Sequence, residues 1–410
     1  MDSMDLAQFE NPLISVVIPV YNAEKFLDQC LFSLKYQTFP RFEVLCVDDG
    51  STDRSVEIIK RYAESDSRFK LLSQTHQFAG VARNLGIKNA KGEYLLFLDA
   101  DDYFAPNLLI DAYYQAKLFD AEICVFGANY FDEKESKTGE MSFVCNFMKC
   151  EKNTVFSKET NLDNIFSFTS PAPWSKLFKR NFILDKEIYF QDTRNANDVS
   201  FVLTALAEAN RIVALDKSLV YYRVNHGTSL QQTKESDPTC ICDALSSLKT
   251  ELINRNLFEK LKKPYCNVAV EHCFYNLRTL QSRQAFECLY QRIKEFLTED
   301  LHLSEVPESF ITSIADKEGF FDIGRLTVED YMQKYELFGM KKPSELVEEP
   351  EVKDSVVDNK IELEPVVERL CLHQRAYNYY RINGFRATCK KIFLKLSSDK
   401  RVKPQNEPSP

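Results

Sequence analysis

The 410-residue chain predicts an α/β fold: a mostly parallel sheet flanked by helices, followed by a mainly helical C-terminal region. Three observations carry this expectation. Short apolar, β-branched runs alternate with helix-period segments over the first 130 residues. Acidic residues fall directly after those apolar runs, as in "VLCVDDG" and "YLLFLDADD". From Asp237 to Tyr335 the strand pattern stops and helical spacing dominates.

The elements follow in order. "LISVVIPV" (Leu13 to Val20) is a continuous apolar run, as expected of a strand covered on both faces. "AEKFLDQCLFSLKYQ" then places Phe26, Leu27, Cys30, Leu31 and Leu34 at helical spacing. "FEVLCVDDGS" predicts a second strand and "DRSVEIIKRYAE" a second helix, capped by Thr52 or Asp53. A short strand "FKLLS" and a helix "AGVARNLGIKNA" come next, then the strand "EYLLFL" and the helix "PNLLIDAYYQAKLF". "EICVFGA" is a fifth strand. Beyond Ala128 the pattern weakens: "YFDEKESKTGE" reads as a polar loop and "SPAPWSKLFKRNFI" as an irregular segment leading into a helix. "DVSFVLTALAEAN" is an amphipathic helix, and "IVALDKSLVYYRV" one or two strands.

The expected divisions are residues 12–130, 131–236, a helical region 237–340, an acidic linker 341–365 and a basic amphipathic tail 366–398. The tail places Arg381, Arg386, Lys390, Lys391 and Lys395 beside Tyr380, Phe385, Ile392, Phe393 and Leu396. Such a helix is a candidate for peripheral contact with anionic lipid, or for packing between copies in a homo-oligomer.

A net charge of −9 argues against a whole-protein nucleic-acid binder. Twelve scattered cysteines with no C-x-x-C read as reduced thiols rather than a disulfide frame or zinc site. The N-terminus "MDSMDLAQFENP" is too polar for a secretory signal. No apolar run approaches the roughly 20 residues needed to span a bilayer. These features lead us to expect a cytoplasmic protein, peripheral at most on the inner face of the cell membrane.

The carboxylates define the candidate site. Asp48 and Asp49 follow one predicted strand, and Asp99, Asp101 and Asp102 another. In a parallel sheet such strand ends share one edge, where ligands bind. Close like charges repel, so a divalent cation is the natural complement. Hard oxygen ligands with few protein contacts suit Mg²⁺ or Mn²⁺, the remaining ligands being phosphate oxygens.

Four motifs in order, P-V-Y-N at Pro19, V-D-D-G-S-T-D at Val47, A-R-N-x-G at Ala82 and D-A-D-D at Asp99, resemble those of family-2 glycosyltransferases with the GT-A fold. The resemblance is strong over residues 12–130 and extends more weakly to about residue 232 through "WSKLFKRNF", "NDVSFVLTAL" and "VYYRVNHGTSL". It implies an inverting transfer of sugar from a nucleotide-diphosphate donor, with UDP favoured, to a hydroxyl of a glycan or lipid-linked acceptor. Bacterial surface polysaccharide or cell-wall glycan synthesis is the implied setting.

For single residues the resemblance implies the following. Pro19, Val20 and Tyr21 hold the nucleotide base, Tyr21 by stacking. Asp49 accepts the base imide N–H, with Asp48 as the alternative. Arg83 clamps the diphosphate or pairs with Asp99, and Asp99 contacts the donor sugar or ribose. Asp101 coordinates the metal, with Asp102 and His226 as further ligands. Arg223 and Ser229 belong to the segment that closes over the diphosphate. Trp174 lines the acceptor side, and Asp198 is the base that deprotonates the acceptor hydroxyl. The family's usual Glu before that Asp is replaced by Asn197, which removes one carboxylate from the acceptor side.

Two other classes compete. A nucleotidyltransferase would open with a glycine-rich loop after the first strand, and "VIPVYNAEKF" has no glycine. A non-catalytic carbohydrate-binding or scaffold homologue is suggested by Asn197 and opposed by the presence of Asp99, Asp101 and Asp198. Within the family, a polyprenyl-phosphate sugar synthase would need no strong base.

Overall fold

The computed structural model describes residues 11–225, 235–302, 305–312 and 314–339. His226, Ser229, the acidic linker and the basic tail lie outside the described residues. The described chain alternates as expected through β1 (Ile14–Val20), α1 (Glu24–Lys35), β2 (Phe42–Asp48), α2 (Ser55–Ser65), β3 (Phe69–Ser73), α3 (Phe78–Asn89) and β4 (Tyr94–Phe97). A two-residue β5 (Tyr103–Phe104), α4 (Leu108–Leu118) and β6 (Ile123–Asp132) follow. Then come β7 (Lys137–Glu140), β8 (Val155–Phe156), β9 (Lys176–Lys179), α5 (Arg180–Asp185), α6 (Asn197–Glu208) and β10 (Ile212–Val224).

The result is one mixed sheet in the order β3-β2-β1-β4-β9-β6-β10-β5, with β7 paired to β6 and β8 to β10. β1, β2, β3 and β4 are mutually parallel, and β10 runs parallel to β6. β1 and β2 are buried along nearly their whole length, which explains their unbroken apolar runs. The register sets Val20 beside Asp48 and Asp48 beside Ser73, while Val17 lies beside Phe97. Asp48 and the acidic turn after Phe97 therefore emerge at one sheet edge.

α3 packs tightly on β1 because residue 86 is glycine. A Cβ there would sit 2.2 Å from Val17 Cγ1, so any other residue would push the helix off the sheet. Asn84 fixes the same helix from the other side. Its Nδ2 donates to the Phe190 carbonyl at 2.8 Å and its Oδ1 accepts from the Phe190 N–H at 2.9 Å.

Two local expectations change and two open alternatives are resolved. The segment read as a polar loop is a hairpin: β6 runs to Asp132 and pairs antiparallel with β7. Asp132 Oδ1 accepts from the N–H groups of Lys134 and Glu135, and this side-chain turn closes the hairpin despite its charged composition. The irregular "SKLFK" contains β9, antiparallel between β4 and β6. Its lysine hid the strand, because Lys176 is wholly buried. "IVALDKSLVYYRV" is one strand with register shifts around Ser218. Finally, α2 starts at Ser55, and Asp53 bridges two helix starts, accepting from the Ser55 N–H at 2.9 Å and the Glu24 N–H at 3.0 Å.

The helical region comprises α7 (Cys240–Asn254), α8 (Phe258–Thr279), α9 (Arg283–Glu295), α10 (Ile314–Arg325) and α11 (Val328–Lys334). Its apolar faces join the core beneath α6, so Val202 and Leu206 belong to the same buried cluster as Leu245, Leu248 and Ala269. Tyr265, buried in α8, donates its hydroxyl to the Leu245 carbonyl at 3.0 Å. No described helix is long and apolar enough to cross a membrane. The ten cysteines among the described residues are all free thiols.

Candidate active site

The first corner of the site is built by the turns after β1 and β2, which latch to each other. Asn22 adopts a left-handed φ of 48°, turning its Oδ1 to accept from the Thr52 N–H at 2.8 Å. Its own N–H donates to Ser51 Oγ at 3.1 Å, and the Ala23 N–H to Ser55 Oγ at 2.9 Å. Tyr21 is thereby held at the surface, 49% exposed. Its ring stacks on His76 with centroids 4.1 Å apart and planes inclined by 24°. His76 Nδ1 lies 2.9 Å from Asp49 Oδ2.

Asp49 itself is buried, and its Oδ1 accepts from Gln74 Nε2 at 2.7 Å and the Gln77 N–H at 2.8 Å. Asp48 Oδ1 accepts from the Ser51 N–H at 3.2 Å. Of the backbone groups expected to meet a base, the Val20 carbonyl already accepts from the Asp49 N–H at 2.8 Å, and Pro19 lies in the strand beside Val47. His76 was absent from the sequence reading; its position three residues past a short strand carries no motif of its own.

The acidic turn forms the second corner. Asp102 is 1% exposed, and its Oδ1 accepts from the Arg223 N–H at 2.8 Å. Its Oδ2 is buried with no hydrogen-bond partner among the described residues. Burial, then the charges of Asp101 and Asp99, push the Asp102 carboxyl well above its ordinary range. Burial and Asp99 likewise push Asp101 up to about 6.

Behind this turn lies Arg223, 2% exposed. Its Nε donates to the Asp101 carbonyl at 2.8 Å, Nη2 to Gln29 Oε1 at 2.7 Å, and Nη1 to Glu133. The guanidinium also lies over the Phe26 ring, 4.5 Å from its centroid. Expected at the diphosphate, Arg223 instead has every nitrogen committed within the protein and shapes the acidic turn from below.

The third corner joins the two halves of the sheet. Arg83 on α3 donates Nη2 to Asp99 Oδ1 at 2.8 Å and Nη1 to Asn197 Oδ1 at 2.9 Å. Its guanidinium carbon lies 5.3 Å from the Phe190 ring centroid. The expected Arg83–Asp99 pair is therefore present, and the same side chain grips the start of α6. The residue before that helix, Ala196, holds a left-handed φ of 54°, a strained conformation for alanine. Asp198 follows in the first helical turn. Burial pushes its carboxyl up, while the Arg83 charge works against that rise.

Arg83, Asp99, Asn197, Asp198 and Trp174 share the wall of one cavity of about 690 Å³. Trp174, mostly buried, stacks on Tyr222 with centroids 5.6 Å apart and planes at 19°. Its segment is held by Lys176, whose Nζ donates to the carbonyls of Ser170 and Ala172 at 2.8 and 2.9 Å and to Ser175 Oγ at 3.0 Å. Burial lowers this amine to about 7, the charges of Cys145 and Asp198 opposing the fall. The cavity's far wall comes from α8, through His272 and Tyr275.

The described residues contain no cluster of three or more His, Cys, Asp or Glu side chains able to enclose a metal by themselves. The acidic turn nevertheless suits a cation that takes one or two carboxylates and completes its shell with phosphate and water. The unpartnered Asp102 oxygen and the charge of Asp99 beside Asp101 fit a cation placed there.

A cavity at the carboxyl edge of an α/β sheet, an acidic turn and a carboxylate at a facing helix start define a ligand-binding α/β fold. Comparison places the chain more narrowly. Residues 15–183 match the model of glycosyl transferase family 2. Glycosyltransferase GlyG of Streptococcus pneumoniae is 32% identical over 224 residues, covering 53% of this chain and 73% of GlyG. EpsJ of Bacillus subtilis, described as an uncharacterized glycosyltransferase, is 32% identical over 222 residues, 52% of this chain and 62% of EpsJ. The crystal structure of Staphylococcus aureus TarS in complex with UDP-GlcNAc shares the fold with a TM-score of 0.59 at 22% identity, covering 78% of this chain and 92% of that one. The chain belongs to glycosyl transferase family 2.

Proposed function

We propose that the protein is an inverting glycosyltransferase that moves a sugar from a UDP-sugar to a hydroxyl of a glycan or lipid-linked acceptor. The single observation that carries this reading is the Arg83 bridge. It ties the acidic strand end at Asp99 to Asn197 at the start of α6, next to Asp198, so donor and acceptor chemistry meet in one cavity. Asp198 takes the proton from the acceptor hydroxyl, which attacks the anomeric carbon opposite the leaving diphosphate. Its raised basicity suits that task better than an ordinary surface carboxylate.

Tyr21 stacks the base beside His76, with Asp49 fixing the orientation of His76. Asp99 orients the donor sugar. Asp101, with Asp102 behind it, would hold Mn²⁺ or Mg²⁺, which when bound would offset charge developing on the diphosphate. Arg83 contributes a fixed positive charge on the same side.

Relatives support a setting in cell-surface glycan synthesis. TarS, 28% identical over 255 residues, is a poly(ribitol-phosphate) beta-N-acetylglucosaminyltransferase. A poly(ribitol-phosphate) beta-glucosyltransferase of Bacillus spizizenii is 33% identical over 221 residues. The matched stretches span only 42% and 32% of those proteins. The test is a thermal-shift and UDP-release panel of nucleotide sugars with and without Mn²⁺. A UDP-sugar that raises the melting temperature and turns over supports the reading. Absence of binding and turnover across the panel would favour a non-catalytic scaffold.

A further inference from the structure

Part of the cavity wall carries side chains that the donor chemistry does not use. That part of the wall comes from the segment after β7, the segment before β9, the loop between α5 and α6, and α8. Two cations stand in this wall, Lys149 and Arg194. Neither side chain makes an ion pair or hydrogen bond within the described residues, although most cavity-wall charges deeper in the site, such as Arg83 and Asp99, are paired.

Both cations are presented by anchored backbone. The Lys149 N–H donates to the Asn146 carbonyl at 3.0 Å, and its carbonyl accepts from Asn161 Nδ2 at 2.9 Å. The loop carrying Arg194 turns on Thr193, whose Oγ1 donates to the Asn195 carbonyl at 2.9 Å and whose carbonyl accepts from Asn197 Nδ2 on α6 at 3.4 Å. Arg194 precedes the proposed base by four positions. A third feature lies in the same wall: Ser170 Oγ is buried and has no hydrogen-bond partner among the described residues. A buried hydroxyl left unsatisfied is costly, and a polar ligand would satisfy it. Phe143, 60% exposed, and Tyr275, 51% exposed, add aromatic faces to the rim.

Two unpaired cations, an unsatisfied hydroxyl and exposed rings describe a site for something polar, anionic and carbon-backed. The cavity also contains carboxylates, Asp237 and Glu271, so the field is not uniformly positive and a positioned anion is favoured over a diffuse one. From this arrangement we propose that this part of the cavity is an acceptor subsite for an anionic polyol or sugar. Lys149 and Arg194 pair with its anionic group while a neighbouring hydroxyl reaches Asp198. The proposal rests on the glycosyltransferase reading for its geometry but makes a separate statement, that the acceptor carries a phosphate or carboxylate.

The experiment uses the full chain saturated with UDP, so that the donor site is filled. Trp174 is the only tryptophan and lines this cavity, so its emission reports occupancy. Two matched probe pairs are titrated: glycerol 3-phosphate against glycerol, and glucuronate against glucose. At least one anion should bind about tenfold or more tighter than its neutral partner, as charge-assisted hydrogen bonds require. The preference should weaken as salt rises. Preference for glycerol 3-phosphate assigns a phosphate-bearing acceptor, and preference for glucuronate a uronic acid. In K149Q/R194Q the preference should disappear while UDP affinity is retained, which also shows that the variant is folded. Equal binding of neutral and anionic probes, no binding of either anion, or an unchanged preference in the double variant would overturn the proposal. A failure of UDP itself to bind falls on the glycosyltransferase reading; the titration is then repeated without UDP, and its outcome still decides the anion preference.

Discussion

Arg83 and Asn197, 114 positions apart in sequence, meet through a 2.9 Å hydrogen bond inside the protein. The amide that stands where the resemblance expects Glu keeps an acceptor oxygen and gives up the charge and one methylene of reach. N197A would strand Arg83 Nη1 in a buried setting, at a cost of about 1–3 kcal/mol. Urea denaturation should show this loss, and N197D, which restores an acceptor, should recover most of it. A fully stable N197A would mean the bridge is incidental.

Arg223 presents a sharper structural case. It makes four hydrogen bonds around the acidic turn and is almost wholly buried. R223M keeps the backbone bond to Asp102 but leaves Glu133 and Gln29 without their partner. Because Glu133 stays partly exposed, the loss is that of buried hydrogen bonds around the turn, about 1–3 kcal/mol. R223K should recover little, because an ammonium cannot reproduce the planar fork. Chemical denaturation of the three proteins checks the ranking.

The aromatic corner makes a ligand prediction. Y21A should weaken UDP binding by about 1–3 kcal/mol, the range for one stacked base, and H76A should weaken it through the loss of Tyr21's support. Isothermal titration with UDP measures both. Unchanged affinity in Y21A would move the base elsewhere.

Lys176 gives a prediction about pH and stability. Its amine titrates at about 7 in the folded protein against an ordinary 10.5. Between those values the unfolded chain binds the extra proton. This group's penalty is therefore greatest at and below about pH 7 and fades as pH rises toward 10.5. The stability of the wild type relative to K176M should rise over that window, read from paired urea melts at several pH values. A flat difference would mean that the buried amine keeps its ordinary basicity.

The alternating half of the fold was legible because β1, β2 and β4 are covered on both faces and the helices between them present apolar stripes. β9 was not, since a buried Lys176 satisfied by three oxygens looks polar in sequence. The β6–β7 hairpin was hidden for a related reason: its turn is closed by the Asp132 side chain rather than by a glycine pair. At the site, Asp99, Arg83 and Asp198 were traceable through motif spacing, and the structure brings them to one cavity. Arg223 read as a ligand contact because sequence does not reveal that its partners, Gln29 and Glu133, lie far away along the chain. His76, Lys149 and Arg194 belong to no motif, and only folding gathers them at the cavity or the base corner.

The central claim is that Asp198 is the base of a sugar transfer. Steady-state UDP release from the UDP-sugar selected in the panel, measured for wild type and D198N alongside UDP affinity, tests it most directly. Loss of a general base should lower turnover by about 10²–10⁴-fold. UDP affinity should stay within about twofold, because Asp198 stands on the acceptor side of the cavity and makes no contact that base stacking requires. Wild-type turnover in D198N, with UDP affinity intact, would contradict the account.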